Sequence, residues 1–390
     1  MNVPKLRFKE FTDEWTFTTL KDVAIKVNRV ESNNSPIMMI SAEKGFILQS
    51  QKYSKDMTGD SLKKYITLYK NELAYNHGAS KLRPYGSVFM LLEDKARIPF
   101  VYHCFKITNG YNKFFSYYLN RYSFGRLLKP LISSTARMDG LLNISFDNYF
   151  SIKFKIPQLK EQEKIANLLT TVDKKITNLE NTITSLENQK KGLLQQIFSQ
   201  KLRFKDKNGN NYPNWEKKKL EDISNITMGQ SPDSDFVNTE KIGTPFLQGN
   251  AEFTNKYPIE KYWCTKPQKI ANPTDILLSV RAPVGAINIA NKKFCIGRGL
   301  SAISFNCNKL FGKYNLEFNL FQLIKKSQGS TFSSINKKDI SEVILFIPCL
   351  EEQTKIADFL SAFDRKLENQ KAQLEHWKQI KKGLLQQMFV

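Results

Sequence analysis

Two stretches of the chain place apolar residues at alternating spacings of four and three. In the first they are Ile165, Leu169, Val172, Ile176, Leu179, Ile183, Leu186, Leu193 and Ile197, and Lys190 is the one polar residue on the seam. In the second they are Ile356, Leu360, Phe363, Leu367, Leu374, Trp377, Leu384 and Met388, with Gln370 and Lys381 on the seam. An a/d repeat sustained this long predicts coiled-coil helices rather than ordinary amphipathic ones. Pro157 and Pro348, each followed shortly by Glu-Gln, mark the helix entries. Some 40 residues at about 1.5 Å each make a rod of roughly 60 Å. Elsewhere the pattern changes. PIMMI, GFILQ, GSVFMLL and PFVYHCFKI lie between residues 10 and 150, and DILLSV, GAINIA and SAISF between 210 and 340. Short β-branched or aromatic runs cut by turn residues predict two mixed α/β (α+β) domains.

The helical stretches are copies of one another. Residues 156–198 lie on 347–389 without a gap, and 20 of the 43 pairs are identical, including the run KKGLLQQ at 190–196 and 381–387. A seven-residue identity is too long for chance, so the repeat is real. KLRFK also occurs twice, at 5–9 and 201–205, each time followed by a tryptophan (Trp15, Trp215) and a leucine and aspartate (Leu20 and Asp22, Leu220 and Asp222). The order arm, globular segment, helix therefore runs twice. It predicts an internal pseudo-two-fold repeat in which the helices pair antiparallel with one domain at each end, and the two chain termini are neighbours. The boundaries expected are 1–155 and 201–346 for the domains, and 156–200 and 347–390 for the helices.

Composition says who the partner is. The 390 residues are 41% hydrophobic, enough for the cores of two or three domains, and the formal charge is +22 with a pI near 9.6. Such an excess points to a polyanion, either nucleic acid or an anionic membrane surface. Residues 157–200 carry six lysines against five acids, and 348–390 seven basic against six acidic residues, so the excess lies on the globular halves. MNVPKLRFKEF has no apolar signal region, and no stretch reaches the roughly 18 apolar residues of a membrane span. Nucleic acid becomes the better partner, and the cytoplasm the expected place. The five cysteines include no CxxC pair, which argues against a disulfide framework or structural zinc.

Catalytic constellations are missing. There is no GxGxxG after a strand, no Walker A loop and no Asn- or Asp-Pro-Pro-aromatic tetrapeptide, ANPTD at 271–275 being the nearest. Pro232–Asp233 is followed by no acid-x-lysine, and His77, His103 and His376 do not group with acids or cysteines. Base reading favours Arg, Lys, Asn and Gln on loops. In the first domain NHGASKLRPYGS offers Asn76, Lys81, Arg83 and Tyr85; in the second, Gln248, Asn250, Arg281 and Arg298 lie in Gly- or Pro-punctuated stretches.

IPQLKEQEKIANLL and IPCLEEQTKIADFL, with KKGLLQQIF and KKGLLQQMF, resemble the starts and ends of the conserved spacers in specificity subunits of type I restriction-modification systems. MGQSPDSDFVNTEKIGTPFLQGN (228–250), DILLSVRAPVGAINIA (275–290) and IGRGLSAI (297–304) are similar to one recurring kind of target-recognition domain. The resemblance covers essentially the whole chain. It implies that the two recognition domains read the halves of an asymmetric, bipartite site in double-stranded DNA. It also implies spacers that dock two modification subunits, which bind S-adenosylmethionine and methylate adenine, and two restriction subunits, which use ATP and magnesium. No cofactor and no catalysis would belong to this chain itself. The alternative is a stand-alone sequence-specific or architectural DNA-binding protein, which would bind without a methyltransferase partner.

Overall fold

The computed structural model describes residues 3–31, 34–53, 59–81, 83–132, 142–254, 256–328 and 334–389. The chain divides into two compact units, Met1–Glu180 with Gln373–Val390, and Asn181–Ala372. Each unit contains one globular segment and a part of both long helices. Four helices position the functional elements: α1 (Asn112–Tyr118), α2 (Leu159–Phe198), α3 (Lys309–Gln328) and α4 (Leu350–Gln387).

The first unit holds β1 (Thr16–Thr19), β2 (Ala24–Lys26), β3 (Met38–Ser41), β4 (Gly45–Leu48), β5 (Ile66–Tyr69), β6 (Leu73–Asn76), β7 (Ser87–Met90), β8 (Lys95–Ile98), β9 (His103–Ile107) and β10 (Lys153–Ile156). The second holds β11 (Glu216–Lys219), β12 (Ser224–Met228), β13 (Val237–Asn238), β14 (Thr244–Leu247), β15 (Tyr262–Cys264), β16 (Ile270–Ala271), β17 (Ile276–Ser279), β18 (Ile287–Ile289), β19 (Phe294–Ile296), β20 (Leu300–Phe305) and β21 (Ile344–Ile347). In the first unit an antiparallel sheet runs β2-β9-β6-β7, and in the second β12-β20-β17-β18. The two orders correspond strand for strand although the sequences hardly do. A two-stranded ribbon feeds each long helix, β1–β10 into α2 and β11–β21 into α4. The second unit adds a five-stranded sheet, β13-β15-β14-β19-β16, in which only β14 and β19 run parallel.

The seam does two jobs. In the first unit Ile165 and Leu169 of α2, with Met388 and Phe389 just past α4, sit in one core with Trp15, Phe114 and Tyr149. In the second, Ile197 and Phe198 of α2 and Ile356 and Leu360 of α4 join Trp215, Phe311 and Tyr314. The periodicity alone reads as helix against helix along its whole length. The structure instead spends the outer seam positions on the domains, because a small sheet has a bare apolar face that needs a second layer. Leu179, Ile183 and Leu186 are buried outside those cores, while Ile176, Leu193, Phe363, Leu374, Trp377 and Leu384 are half-buried. Ion pairs give the direction of pairing within each unit. Glu180–Lys378 (3.1 Å) and Asp173–Lys381 (2.6 Å) make it antiparallel in the first, and Glu187–Lys371 (2.7 Å) and Lys190–Asp364 (2.6 Å) make it antiparallel in the second.

The termini themselves lie outside the described residues, and Leu6 and Gln387 near them meet as the cyclic order predicts. In the second unit α2 runs directly into the arm at 201–205, and Leu202 N donates to Gln196 O at 3.0 Å. In the first unit the same arm has no covalent link to α4, yet Leu6 N donates to Gln387 O at 2.9 Å. The repeated KLRF packs on the repeated helix end in both cases.

Candidate nucleic-acid interface

A buried joint stands at the start of each long helix. Glu161 accepts from Arg7 Nε and Nη2, both at 2.8 Å, and from Trp15 Nε1 at 3.4 Å. Glu352 accepts from Arg203 Nε and Nη2, both at 2.8 Å, and from Trp215 Nε1 at 3.0 Å. Both carboxylates are almost fully buried, and the forked arginine satisfies them with two parallel bonds. The glutamate raises the Arg7 guanidinium above its usual range. The neighbouring glutamines complete the joint. Gln162 donates to Pro157 O at 2.9 Å and accepts from Tyr111 N at 3.0 Å, and Gln353 donates to Pro348 O at 2.9 Å and accepts from Asn308 N at 3.0 Å. Tyr111 and Asn308 immediately precede α1 and α3. The recurrence of KLRF, Trp and Pro-x-x-x-Glu-Gln is thus structural: one buried knot ties arm, domain and helix.

The β6–β7 and β17–β18 hairpins hold equivalent places in the two four-stranded sheets. Each is backed by a later segment in the same way, Leu142 N donating to His77 O and Ile335 N to Val280 O, both at 3.0 Å. Each turns through a glycine in the left-handed region, Gly86 (φ +78°) and Gly285 (φ +96°). NHGASKLRPYGS and the Arg281 stretch look unrelated as sequences; the structure makes them the same loop of the two units.

The side chains on these loops differ in what they are free to do. Asn76 accepts from Gly78 N at 2.9 Å and donates to Ile40 O at 3.3 Å. Arg83 donates to Asn120 O at 2.9 Å and Ala42 O at 3.4 Å, and burial lowers its pKa. The Tyr85 ring packs so closely on Gly125 that a Cβ there would collide with it, and Tyr75 donates to Tyr85 O at 2.9 Å. Lys81 is exposed. In the second unit Gln248, Arg281 and Arg298 are exposed, and Asn250, half-buried, opens a single turn to Glu252.

Backbone hydrogen bonds gather the second set. Val280 N donates to Gly299 O at 2.9 Å, Gly297 N to Leu247 O at 2.8 Å, and Gln230 N to Ile296 O at 2.9 Å. Ser231 Oγ accepts from Arg298 N at 3.3 Å. Gln230, Gln248, Arg281 and Arg298 therefore stand on loops laced to one another. Gln230 escapes a reading of the sequence, where its one signal is the glycine before it. A Cβ at Gly299 would lie 2.6 Å from Gln248 O, a backbone atom that cannot swing aside. Gly299→Ala is expected to displace Gln248 and Arg298, with a packing cost of about 1–3 kcal/mol. DNA affinity should fall while circular dichroism keeps its folded signature, and unchanged affinity would separate these loops from the interface.

Among the described residues the histidines lie in the domain core of the first unit or on a long helix. His77 and His103 meet edge to face, with ring centroids 4.0 Å apart, beside Tyr75 and Tyr149. Burial pushes His77 down to about 4 and also lowers His103. Among the described residues no three His, Cys, Asp or Glu side chains form a group fit to hold a metal, the five cysteines are free, and no helix is long and apolar enough to cross a membrane.

Comparison with known proteins agrees with this architecture. The model of the type I restriction modification DNA specificity domain matches residues 12–188 and again 212–376. The putative type I restriction enzyme MjaX specificity subunit of Methanocaldococcus jannaschii is 37% identical over 244 residues, which are 60% of this chain and 57% of that protein. The MjaVIII specificity subunit of the same organism is 22% identical over 282 residues, 67% of this chain and 66% of that protein. The chain thus matches somewhat over half to two thirds of the length of these curated relatives. The S subunit of a type I restriction-modification system from M. genitalium superposes with a TM-score of 0.65 at 16% identity, covering 100% of this chain and 99% of that one. A chain from a study of complex assembly and conformational transition of the type I R-M system gives 0.58 at 22%, covering 95% and 96%. These two likenesses concern the fold. With both matched segments together spanning most of its length, the chain belongs to the type I restriction modification DNA specificity domain family.

Proposed function

We propose that this chain is the DNA-recognition subunit of a type I restriction-modification complex, reading an asymmetric two-part site and performing no chemistry itself. One observation carries the reading. The two units share sheet order, joint and hairpin, yet present unlike side chains on that hairpin. Gln248, Asn250, Arg281 and Arg298, with Gln230, would read one half-site in the grooves, where Arg and Gln discriminate bases by paired hydrogen bonds. The hairpin of the first unit would read the other through Lys81, with Asn76, Arg83 and Tyr85 holding its shape. The basic excess of the globular segments supplies the phosphate attraction.

The nearly neutral helices serve protein partners: two modification subunits that bring S-adenosylmethionine, and two restriction subunits that bring ATP and magnesium, all in the cytoplasm. Gly192 and Gly383 support this. A helix-interior glycine costs about 1 kcal/mol relative to alanine, and a Cβ at either would meet nothing within 4 Å in this chain. The same open spot in both copies suits the same partner twice.

Co-purification with a modification subunit, followed by a methylation assay, tests the proposal. The complex is expected to methylate adenine within a single two-part sequence, and the homogeneous chain alone to transfer no methyl group and cleave no DNA. Either activity in the isolated chain would refute it. Tight, site-specific binding without a methyltransferase partner would favour a stand-alone DNA-binding protein.

A further inference from the structure

Lys190 and Lys381, the polar residues at equivalent seam positions, have counterparts that DNA reading leaves unexplained. In the second unit Lys190 Nζ lies 2.6 Å from Asp364 Oδ1 and 5.2 Å from the centre of the Tyr314 ring, and Tyr314 OH donates to Asp364 Oδ2 at 2.7 Å. In the first, Lys381 Nζ lies 2.6 Å from Asp173 Oδ1 and 6.0 Å from the Tyr117 ring, and Tyr117 OH donates to Asp173 Oδ2 at 2.7 Å. Each junction joins three elements. The tyrosine comes from the domain helix (α3 or α1), the aspartate from the long helix that leaves that domain, and the lysine from the other long helix. The charged side chains are 19–34% exposed, well below free surface residues. The tyrosines sit in segments that otherwise hardly resemble one another, so this geometry recurs where the surrounding sequence does not.

A polar residue on an apolar seam lowers stability but selects one register, since a slide of either helix strands it. A heptad slip here would carry each lysine away from its aspartate and leave a half-buried carboxylate without its cation. The domain helix is held to the same carboxylate, so register and domain are fixed together.

We infer that Lys190, Asp364 and Tyr314, with Lys381, Asp173 and Tyr117, are positioning residues that lock the helix register and thereby set the gap between half-sites that the protein accepts; this rests on the two-part reading above. The test is methylation by the complete complex on DNA in which the gap is randomised. The native protein is expected to accept one gap. Lys190→Met with Lys381→Met should accept neighbouring gaps as well, with rates at the preferred gap several-fold lower and both half-site sequences unchanged. Exchanging the charges (Lys190→Asp with Asp364→Lys, Lys381→Asp with Asp173→Lys) should restore the single gap, which mere loss of stability would not do. A single unchanged gap in the methionine variant overturns the inference. A second measurement needs no DNA: thermal unfolding of Lys190→Met and Asp364→Asn, singly and together. Additive shifts of the midpoint would show no coupling and overturn the junction. Coupling without any two-part preference in the native complex would instead overturn the functional reading.

Discussion

Alanine in place of Glu352 is expected to lower the thermal midpoint of the unit formed by Asn181–Ala372 by on the order of 10 °C. The carboxylate is fully buried and takes three donors, two from Arg203 and one from Trp215. Removing it leaves the Trp215 indole N–H without its acceptor and the mostly buried Arg203 guanidinium without its counter-charge, only the Tyr212 and Pro213 carbonyls still accepting from it. Breaking one partner of such a pair costs about 3–5 kcal/mol, and in a unit of about 190 residues each kcal/mol moves the midpoint by roughly 2–4 °C. Glu161→Ala should act likewise on the other unit but more weakly, because Trp15 Nε1 is 3.4 Å away rather than 3.0 Å. Replacing both partners, Arg203→Met with Glu352→Leu, should cost less than Glu352→Ala alone, since no charge is then stranded. Scanning calorimetry on the three variants decides the matter. A drop of only a degree or two for Glu352→Ala would mean that the joint does not hold domain to helix.

Exchanging residues 220–343 for the corresponding segment of another family member should change one half of the recognised sequence completely and leave the other half untouched. The cut points follow from the ribbon β11–β21, which pairs Lys219 with Ile344. Leu220 N donates to Val343 O, so a segment bounded there carries this closing bond with it. The arm, Trp215, Glu352 and both long helices stay native. The incoming domain must supply a tyrosine where Tyr314 meets Asp364 and a backbone donor where Asn308 meets Gln353. Methylation mapped across a genome by the complete complex reads the outcome. A change in both halves would contradict separate reading loops, and no change would place recognition outside 220–343.

The sequence marks the loops of the candidate site but not which of their side chains are free, for a physical reason. The loops carrying Gln248, Arg281 and Arg298 announce themselves through glycine and proline, because a turn leaves a local chemical mark. Exposure leaves none. Asn76 and Arg83 have the same residue chemistry as Gln248 and Arg298, yet both Asn76 amide atoms, and Nε and Nη1 of Arg83, are engaged by the backbone of Ile40, Gly78, Ala42 and Asn120. Those partners lie up to 41 residues away, beyond any local pattern.

Periodicity, self-similarity and charge distribution are properties of the chain itself, and they determined the two long helices, the twofold order of arm, domain and helix, and the neutral character of the helices beside basic domains. The tertiary structure alone decided which residues meet. Arg7 finds Glu161 across 154 positions and Arg203 finds Glu352 across 149. Strand order made one loop of NHGASKLRPYGS and the Arg281 stretch. The seam lysines, which break the heptad as read along one helix, complete it once a second helix and a domain tyrosine are beside them. Such pairings depend on distances that a linear pattern does not contain, because a buried charge is stabilised by whatever the fold brings within about 3 Å, however far away it is along the chain.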